Sequence, residues 1–180
     1  ILRLPASNQK LFSSAYVLSK YKIDHNLKTS LYEYKNNYYL VGQGDPDLYY
    51  SDIVKLLSNV KANKYIDFNI LEIDSNLYWP KGWTYTDKLY KYGSPITTLA
   101  IESNQNEYDD IYNLKNFITD YLNNKFINSN ISINIIDKRK ILYLKNFNEI
   151  DLINSNTILS LLTLINSESH NFTAESLFKN

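Results

Sequence analysis

The chain contains no cysteine, which excludes disulfide bonds, thiolate nucleophiles and cysteine-ligated metal sites. Its two histidines, His25 and His170, lie far apart and have no companions at the spacing of metal ligands, so we expect no zinc site. Basic and acidic residues balance at 19 each. The net charge of zero therefore gives no electrostatic reason to expect binding to nucleic acid or to an anionic membrane surface.

The sequence has no apolar run as long as a membrane-spanning helix, and no signal segment at its start. With 180 residues it can bury one core, or one core that carries a modest insertion. The first residue is Ile1 rather than methionine. We therefore interpret the chain as a fragment whose targeting sequence lies upstream.

The apolar periodicity predicts an α+β fold. Residues 6–21 have helical spacing, and the strand-like runs 28–34 and 38–42 are separated by a short polar link that predicts a hairpin. Further strand-like runs make the centre of the chain β-rich. Residues 157–178 have the pattern of two helices interrupted near 168–171.

The pattern Ser-x-x-Lys occurs four times, at Ser7, Ser19, Ser58 and Ser176. Only Ser7 lies at the start of a predicted helix, directly after a proline-containing turn, where the positive end of the helix dipole favours developing negative charge. Lys10 returns to the same helix face one turn later. A serine needs a base to become nucleophilic, and a desolvated lysine can act as that base. The competing interpretation is a helix-capping serine followed by a surface lysine.

The pattern Ser-x-Asn occurs twice. Ser132 and Asn134 lie in a strand-like run, whereas Ser169 and Asn171 lie at the predicted helical break. In the second occurrence, Ser169 could pass a proton to a leaving amine, and Asn171 could bind a substrate amide. A helix cap is the alternative role for these two residues.

Together these segments resemble the serine D-alanyl-D-alanine carboxypeptidase/endopeptidase family, the class C low-molecular-mass penicillin-binding proteins. The resemblance runs in order through residues 4–12 (LPASNQKLF), 39–46 (YLVGQGDP), 80–87 (PKGWTYTD), 92–95 (YGSP) and 169–177 (SHNFTAESL). The family usually has Ser-Asp-Asn where this chain has Ser169-His170-Asn171.

The resemblance implies that Ser7 is the nucleophile and Lys10 the base, that Ser169 shuttles the proton and that Asn171 binds substrate. Asp87 falls where relatives can place an acidic residue facing the substrate's free amino group, with an ordinary surface aspartate as the equal alternative. The implied substrates are peptidoglycan stem peptides ending in D-Ala-D-Ala, and β-lactams are the implied covalent inhibitors. No metal or organic cofactor is implied.

The resemblance also implies an architecture and a location. Residues 1–26 and 148–180 would form helical parts of a β-lactamase/transpeptidase-like catalytic domain, and residues 27–147 would form an inserted β-rich region. Such enzymes act in the periplasm or another extracytoplasmic space.

One family feature is missing from the chain, namely the Lys-Thr-Gly strand that supplies a carboxylate-binding lysine and half of the oxyanion hole. We expect this strand downstream of residue 180, so the fragment alone would be an incomplete catalyst. Two alternative functions remain open at this point. One is a β-lactamase-like hydrolase or esterase, and the other is a non-catalytic peptidoglycan-binding protein.

Overall fold

The computed structural model describes residues 6–73, 79, 83–90, 93–104, 111–141 and 146–179. In these residues the α-helices are Gln9–Lys20 (α1), Tyr50–Ser58 (α2), Ile111–Lys125 (α3), Ile158–Ser167 (α4) and Asn171–Lys179 (α5). The strands are Asn26–Tyr34 (β1), Asn37–Gly42 (β2), Asp45–Leu48 (β3), Tyr65–Glu72 (β4), Leu99–Ile101 (β5), Asn130–Asp137 (β6) and Asn148–Thr157 (β7). The predicted α+β class is confirmed.

The main sheet has the strand order β6-β4-β2-β1-β7. Strand β1 is antiparallel to both β2 and β7, whereas β2, β4 and β6 run parallel to one another. Strands β3 and β5 form a separate parallel pair. The sheet is therefore mixed, with its antiparallel part at the β7 edge.

The predicted hairpin is formed by β1 and β2. Lys35 and Asn36 join the two strands, and both have positive φ angles, of 50° and 64°. Two successive left-handed residues are the geometry that matches the twist of a two-residue hairpin. The polar link seen in the sequence is therefore a tight turn.

One face of the main sheet packs against α2 and α3. Alternate strand residues such as Leu31, Leu40 and Ile70 align across neighbouring strands and are fully buried. The helices contribute apolar residues at helical spacing to the same cluster. Those residues are Ile53, Leu56 and Leu57 from α2, and Ile111, Leu114, Ile118 and Leu122 from α3.

A second apolar cluster joins the two ends of the chain. Val17 of α1 packs with Ile158 and Leu161 of α4 and with Leu177 of α5, and Leu27 of β1 completes the cluster. Burial of this shared apolar surface holds α1 against α4 and α5. Residues near the start and the end of the chain are thereby brought together.

The sequence pattern did not predict strand β7. The strand-like runs stopped before residue 148, and the C-terminal part was expected to be helical from residue 157, but Asn148–Thr157 pairs along β1 with two register irregularities. Several of its residues are only half-buried and polar residues are scattered through it, so the alternation that identifies a strand is weak. The predicted boundary at residue 148 therefore falls at the start of a strand of the main sheet. The division into catalytic and inserted regions stays a prediction.

Within the described residues, no helix combines the length and the apolar character that crossing a membrane requires.

Candidate active site

Ser7 lies in a single 3-10 turn, Ala6–Asn8, that leads into α1. The α-helix begins at Gln9, so Ser7 precedes the helix by two residues instead of lying within it. Lys10 lies in the first turn of α1 and is half-buried, whereas Ser7 is exposed. Pro5, which the sequence argument used as a helix-start signal, is outside the described residues.

Ser169 and Asn171 lie at the break between α4 and α5. Ser169 has a φ angle of 56°, and α5 begins two residues later at Asn171. A left-handed conformation costs a residue with a side chain about 1 kcal/mol or more, and such strain is often retained where a side chain must be aimed for function. The conformation of Ser169 ends the first helix and lets the second begin in a new direction.

The four side chains form one hydrogen-bonded group. Ser7 Oγ lies 3.0 Å from Ser169 Oγ. Lys10 Nζ donates to Ser169 Oγ at 2.7 Å and to Asn171 Oδ1 at 2.6 Å. The structure therefore brings together the two motifs that the sequence singled out, and it places Ser169 between the hydroxyl of Ser7 and the amine of Lys10.

The Lys10 amine lies in an environment that disfavours its charged form. Partial burial lowers the pKa of Lys10 from its ordinary value, and the Glu175 carboxylate opposes this effect. Burial likewise raises the pKa of Glu175, while Lys10 acts to lower it. A lysine with a lowered pKa has a larger fraction of neutral amine, which is the form able to accept a proton.

His170, the middle residue of the triplet, contacts Thr173. Its Nδ1 atom lies 2.7 Å from Thr173 Oγ1. Burial lowers the pKa of His170, Asp47 opposes that shift and the positive charge of Lys10 adds to it. We therefore expect the imidazole to be neutral near neutral pH.

Helix α5 is fixed in place by polar contacts with Gly44, in another segment of the family resemblance, and with Ile96, which directly follows the segment 92–95. The buried Ser176 Oγ donates to the carbonyl of Gly44 at 2.7 Å, and Lys179 Nζ donates to the carbonyl of Ile96 at 3.0 Å. Gly44 has a φ angle of 81°, and its N–H donates to the carbonyl of Thr98. These hydrogen bonds therefore fix the position of α5, the helix that begins with Asn171.

The other copies of the motifs have structural roles. Ser19 and Ser58 each donate to a carbonyl of their own helix, that of Tyr16 and that of Lys55 respectively, and Ser176 is the anchor just described. Ser132 and Asn134 lie on one side of β6, as their spacing predicts, and the Asn134 amide donates to Asp67 at 2.9 Å. Thus the first Ser-x-x-Lys and the second Ser-x-Asn are the copies that meet.

Asp87 lies in a 3-10 turn, Asp87–Leu89, well away in sequence from both motifs. Its Oδ2 atom accepts hydrogen bonds from the backbone N–H and the hydroxyl of Thr84, each at 2.7 Å. These bonds hold its carboxylate in its own turn. A role for Asp87 in substrate binding stays a prediction.

Sequence reasoning missed Glu175 and Ser176 as parts of the site's surroundings. Both belong to a segment quoted for the resemblance, but neither was assigned a role there. The available signal was the spacing of four between Asn171 and Glu175, which places the two on one helix face. No group of three or more His, Cys, Asp or Glu side chains that could hold a metal ion occurs in the described part of the chain.

Comparison with known proteins identifies one family. The model of the D-Ala-D-Ala carboxypeptidase 3 (S13) family matches residues 1–117, which is more than half of the 180-residue chain. The matched region contains Ser7, Lys10 and Asp87. No curated protein matches the chain.

Proposed function

The chain belongs to the D-Ala-D-Ala carboxypeptidase 3 (S13) family, and we propose that it acts through Ser7 as a serine-type carboxypeptidase on peptidoglycan stem peptides. The observation that carries this proposal is the contact between the two motifs, in which Ser169 Oγ lies 3.0 Å from Ser7 Oγ and 2.7 Å from Lys10 Nζ. Family membership supports a D-Ala-D-Ala carboxypeptidase role.

Acylation begins with removal of the Ser7 proton. A neutral Lys10 amine has two N–H groups and one lone pair. When that lone pair accepts the Ser169 hydroxyl proton, Ser169 in turn accepts the proton of Ser7. Ser7 Oγ then bonds to the carbonyl carbon of the penultimate D-alanine.

The acyl-enzyme forms when the bond to the terminal D-alanine breaks. Lys10, now an ammonium, returns its proton through Ser169 to the departing amine, so that free D-alanine leaves and Lys10 is neutral again. Water then attacks the Ser7 ester, and the same two side chains take the water proton and return it to Ser7. The stem peptide shortened by one residue is the product.

Asn171 serves two partners in this scheme. Its Oδ1 atom accepts from Lys10 Nζ at 2.6 Å, which orients the amine, and its Nδ2 atom is the donor for a substrate carbonyl. We include Asp87 as the partner for a free amino group on the stem peptide, because a carboxylate pairs well with an ammonium. Endopeptidase cleavage of cross-links uses the same steps with a different leaving amine.

β-Lactams fit the same scheme as covalent inhibitors, since attack by Ser7 on the strained amide leaves an ester at Ser7. An extracytoplasmic location follows from the proposed substrate, which is a cell-wall peptide. No cofactor is needed for these steps.

Labelling with a fluorescent penicillin, followed by peptide mapping, tests the proposal on the full-length protein. We expect an adduct on the peptide that contains Ser7, loss of the adduct in Ser7→Ala and retention in Ser58→Ala, which removes the serine of another Ser-x-x-Lys copy. An adduct that survives Ser7→Ala contradicts the mechanism. Rapid turnover of the penicillin would indicate a β-lactamase-like hydrolase, and muropeptide binding without any adduct would indicate a non-catalytic binding protein.

A further inference from the structure

Glu175 lies one helical turn beyond Asn171 on α5. Residues four apart on a helix are neighbours on one face, and Asn171 Oδ1 accepts from Lys10 Nζ at 2.6 Å. The face that carries Asn171 and Glu175 is therefore the face directed at Lys10. Glu175 is half-buried, and the residues on either side of it, Ala174 and Ser176, are buried.

A half-buried carboxylate needs compensation for the water it has lost. The structure supplies an opposite charge, because Lys10 is also half-buried and the two groups attract each other. Each charge offsets part of the desolvation of the other. Glu175 is thus more than a solvated residue on a helix surface.

Other charged groups near the site act on different partners. Lys179, also on α5, donates to the carbonyl of Ile96. Asp47 of β3 acts on His170, whose pKa burial lowers, and its carboxylate accepts from Asn156 at 3.1 Å. Glu175 is the carboxylate whose charge acts on the Lys10 amine.

We propose that Glu175 is a positioning residue whose carboxylate, on the α5 face directed at Lys10, stabilises the positive charge that Lys10 gains when it accepts a proton. This inference rests on the proposed function, in which Lys10 accepts the Ser7 proton. When that proton reaches Lys10, a positive charge forms beside a negative charge already present. The carboxylate therefore favours the charge separation that accompanies attack by Ser7.

The sign of the effect follows from the charges. A nearby carboxylate favours the ammonium form of lysine, so Glu175→Gln should lower the pKa of Lys10. The Lys10 amine then stays neutral down to a lower pH, so the acid limb of the pH profile of acylation moves to lower pH. Because a weaker base drives proton transfer less well, the plateau rate should also fall, by roughly threefold to tenfold.

Two measurements test this inference on the full-length protein. The first is NMR titration of the Lys10 side chain, whose signal is assigned by its loss in Lys10→Arg. The second is the pH profile of acylation by a fluorescent penicillin. Glu175→Asp, which keeps the charge, should restore most of both properties, and Asp120→Asn, which removes an exposed charge from α3, should leave both unchanged.

The outcomes separate the two proposals. If the wild-type protein forms no penicillin adduct, the proposed function fails, and the NMR titration still tests the effect of Glu175 on Lys10. If the pKa of Lys10 is the same in Glu175→Gln as in the wild type, the inference is overturned. Should Glu175→Gln fail to fold, Glu175→Ala, which also removes the charge, must lower the pKa of Lys10, and an unchanged pKa there also overturns the inference.

Discussion

Ser7 Oγ lies 3.0 Å from Ser169 Oγ, although 162 positions separate the two residues along the chain. The contact depends on α1 packing against α5, which the cluster around Val17 and Leu177 maintains. Each serine belongs to a short pattern that recurs elsewhere in the sequence. Their meeting, with Lys10 and Asn171 beside them, distinguishes this pair from the other copies and leads to the following predictions.

Replacing Lys10 should remove the base but not the nucleophile. We expect Lys10→Ala to lower the rate of acylation by a β-lactam roughly 10²- to 10⁴-fold, as is typical when a proton-transfer group is lost. Stopped-flow measurement with a fluorescent penicillin provides the rate. Lys61→Ala, which changes the exposed lysine of another Ser-x-x-Lys copy, is the matched control. Equal rates in the two variants would exclude Lys10 as the base.

Replacing Ser169 or Asn171 should slow acylation, whereas replacing Ser132 or Asn134 on β6 should not. We expect Ser169→Ala and Asn171→Ala each to slow acylation roughly 10²-fold or more, because one removes the proton relay and the other the group that orients the amine. The controls are Ser132→Ala and Asn134→Ala, which alter the strand copy of the pattern. Comparable losses in the control variants would show that the effect arises from stability, which thermal melting would reveal.

Ser176→Ala should destabilise the support of α5. The buried hydroxyl donates to the carbonyl of Gly44 at 2.7 Å, and its removal leaves a buried carbonyl with one hydrogen bond fewer. We expect a loss of about 1 to 3 kcal/mol in the free energy of unfolding, measured by urea denaturation. The exposed Ser51→Ala should change that free energy by less than about 0.5 kcal/mol. A Ser176 variant as stable as the Ser51 variant would contradict this assignment.

The contribution of Asp45 to the free energy of unfolding should fall as pH rises. Burial raises the pKa of Asp45 from 3.8 to about 6, with the negative charges of Asp47 and Asp52 adding to the shift and a hydrogen bond from the Asp47 N–H opposing it. The folded state therefore binds more protons than the unfolded state between these values, so the contribution of Asp45 to stability falls over that window. Above about pH 6 its ionised form costs on the order of 2 to 3 kcal/mol.

The test for Asp45 is the pH dependence of unfolding in Asp45→Asn. The amide keeps the oxygen that accepts from the Asp47 N–H but carries no charge. We expect the variant to gain about 2 kcal/mol over the wild type near pH 7.5 and to differ little near pH 4. A constant difference at both pH values would mean that titration of Asp45 does not contribute.

Helices and turns could be predicted from the sequence where a local residue pattern determines the backbone conformation. The α1 pattern and the break near Ser169 are local properties; the break appears at the expected place, and α1 lies within the predicted range but begins at Gln9, after a 3-10 turn. Strand β7 was not predicted because its apolar and polar residues alternate only weakly. Its extended conformation comes from hydrogen bonding to β1, which the sequence of β7 alone does not show.

The sequence by itself determined the candidate chemistry, namely two serines, a lysine and an asparagine in an order that resembles the carboxypeptidase family. Spacing alone left a capping serine and a surface lysine as the competing interpretation, and the ordered resemblance to the family is what implied the role of each residue. Only the tertiary structure showed that these two copies meet and that the α5 face carrying Glu175 is directed at Lys10. Packing of helices from opposite ends of the chain brings those charges together, and partial removal of water from Lys10 and Glu175 changes their pKa values. Neither effect can be inferred from local spacing.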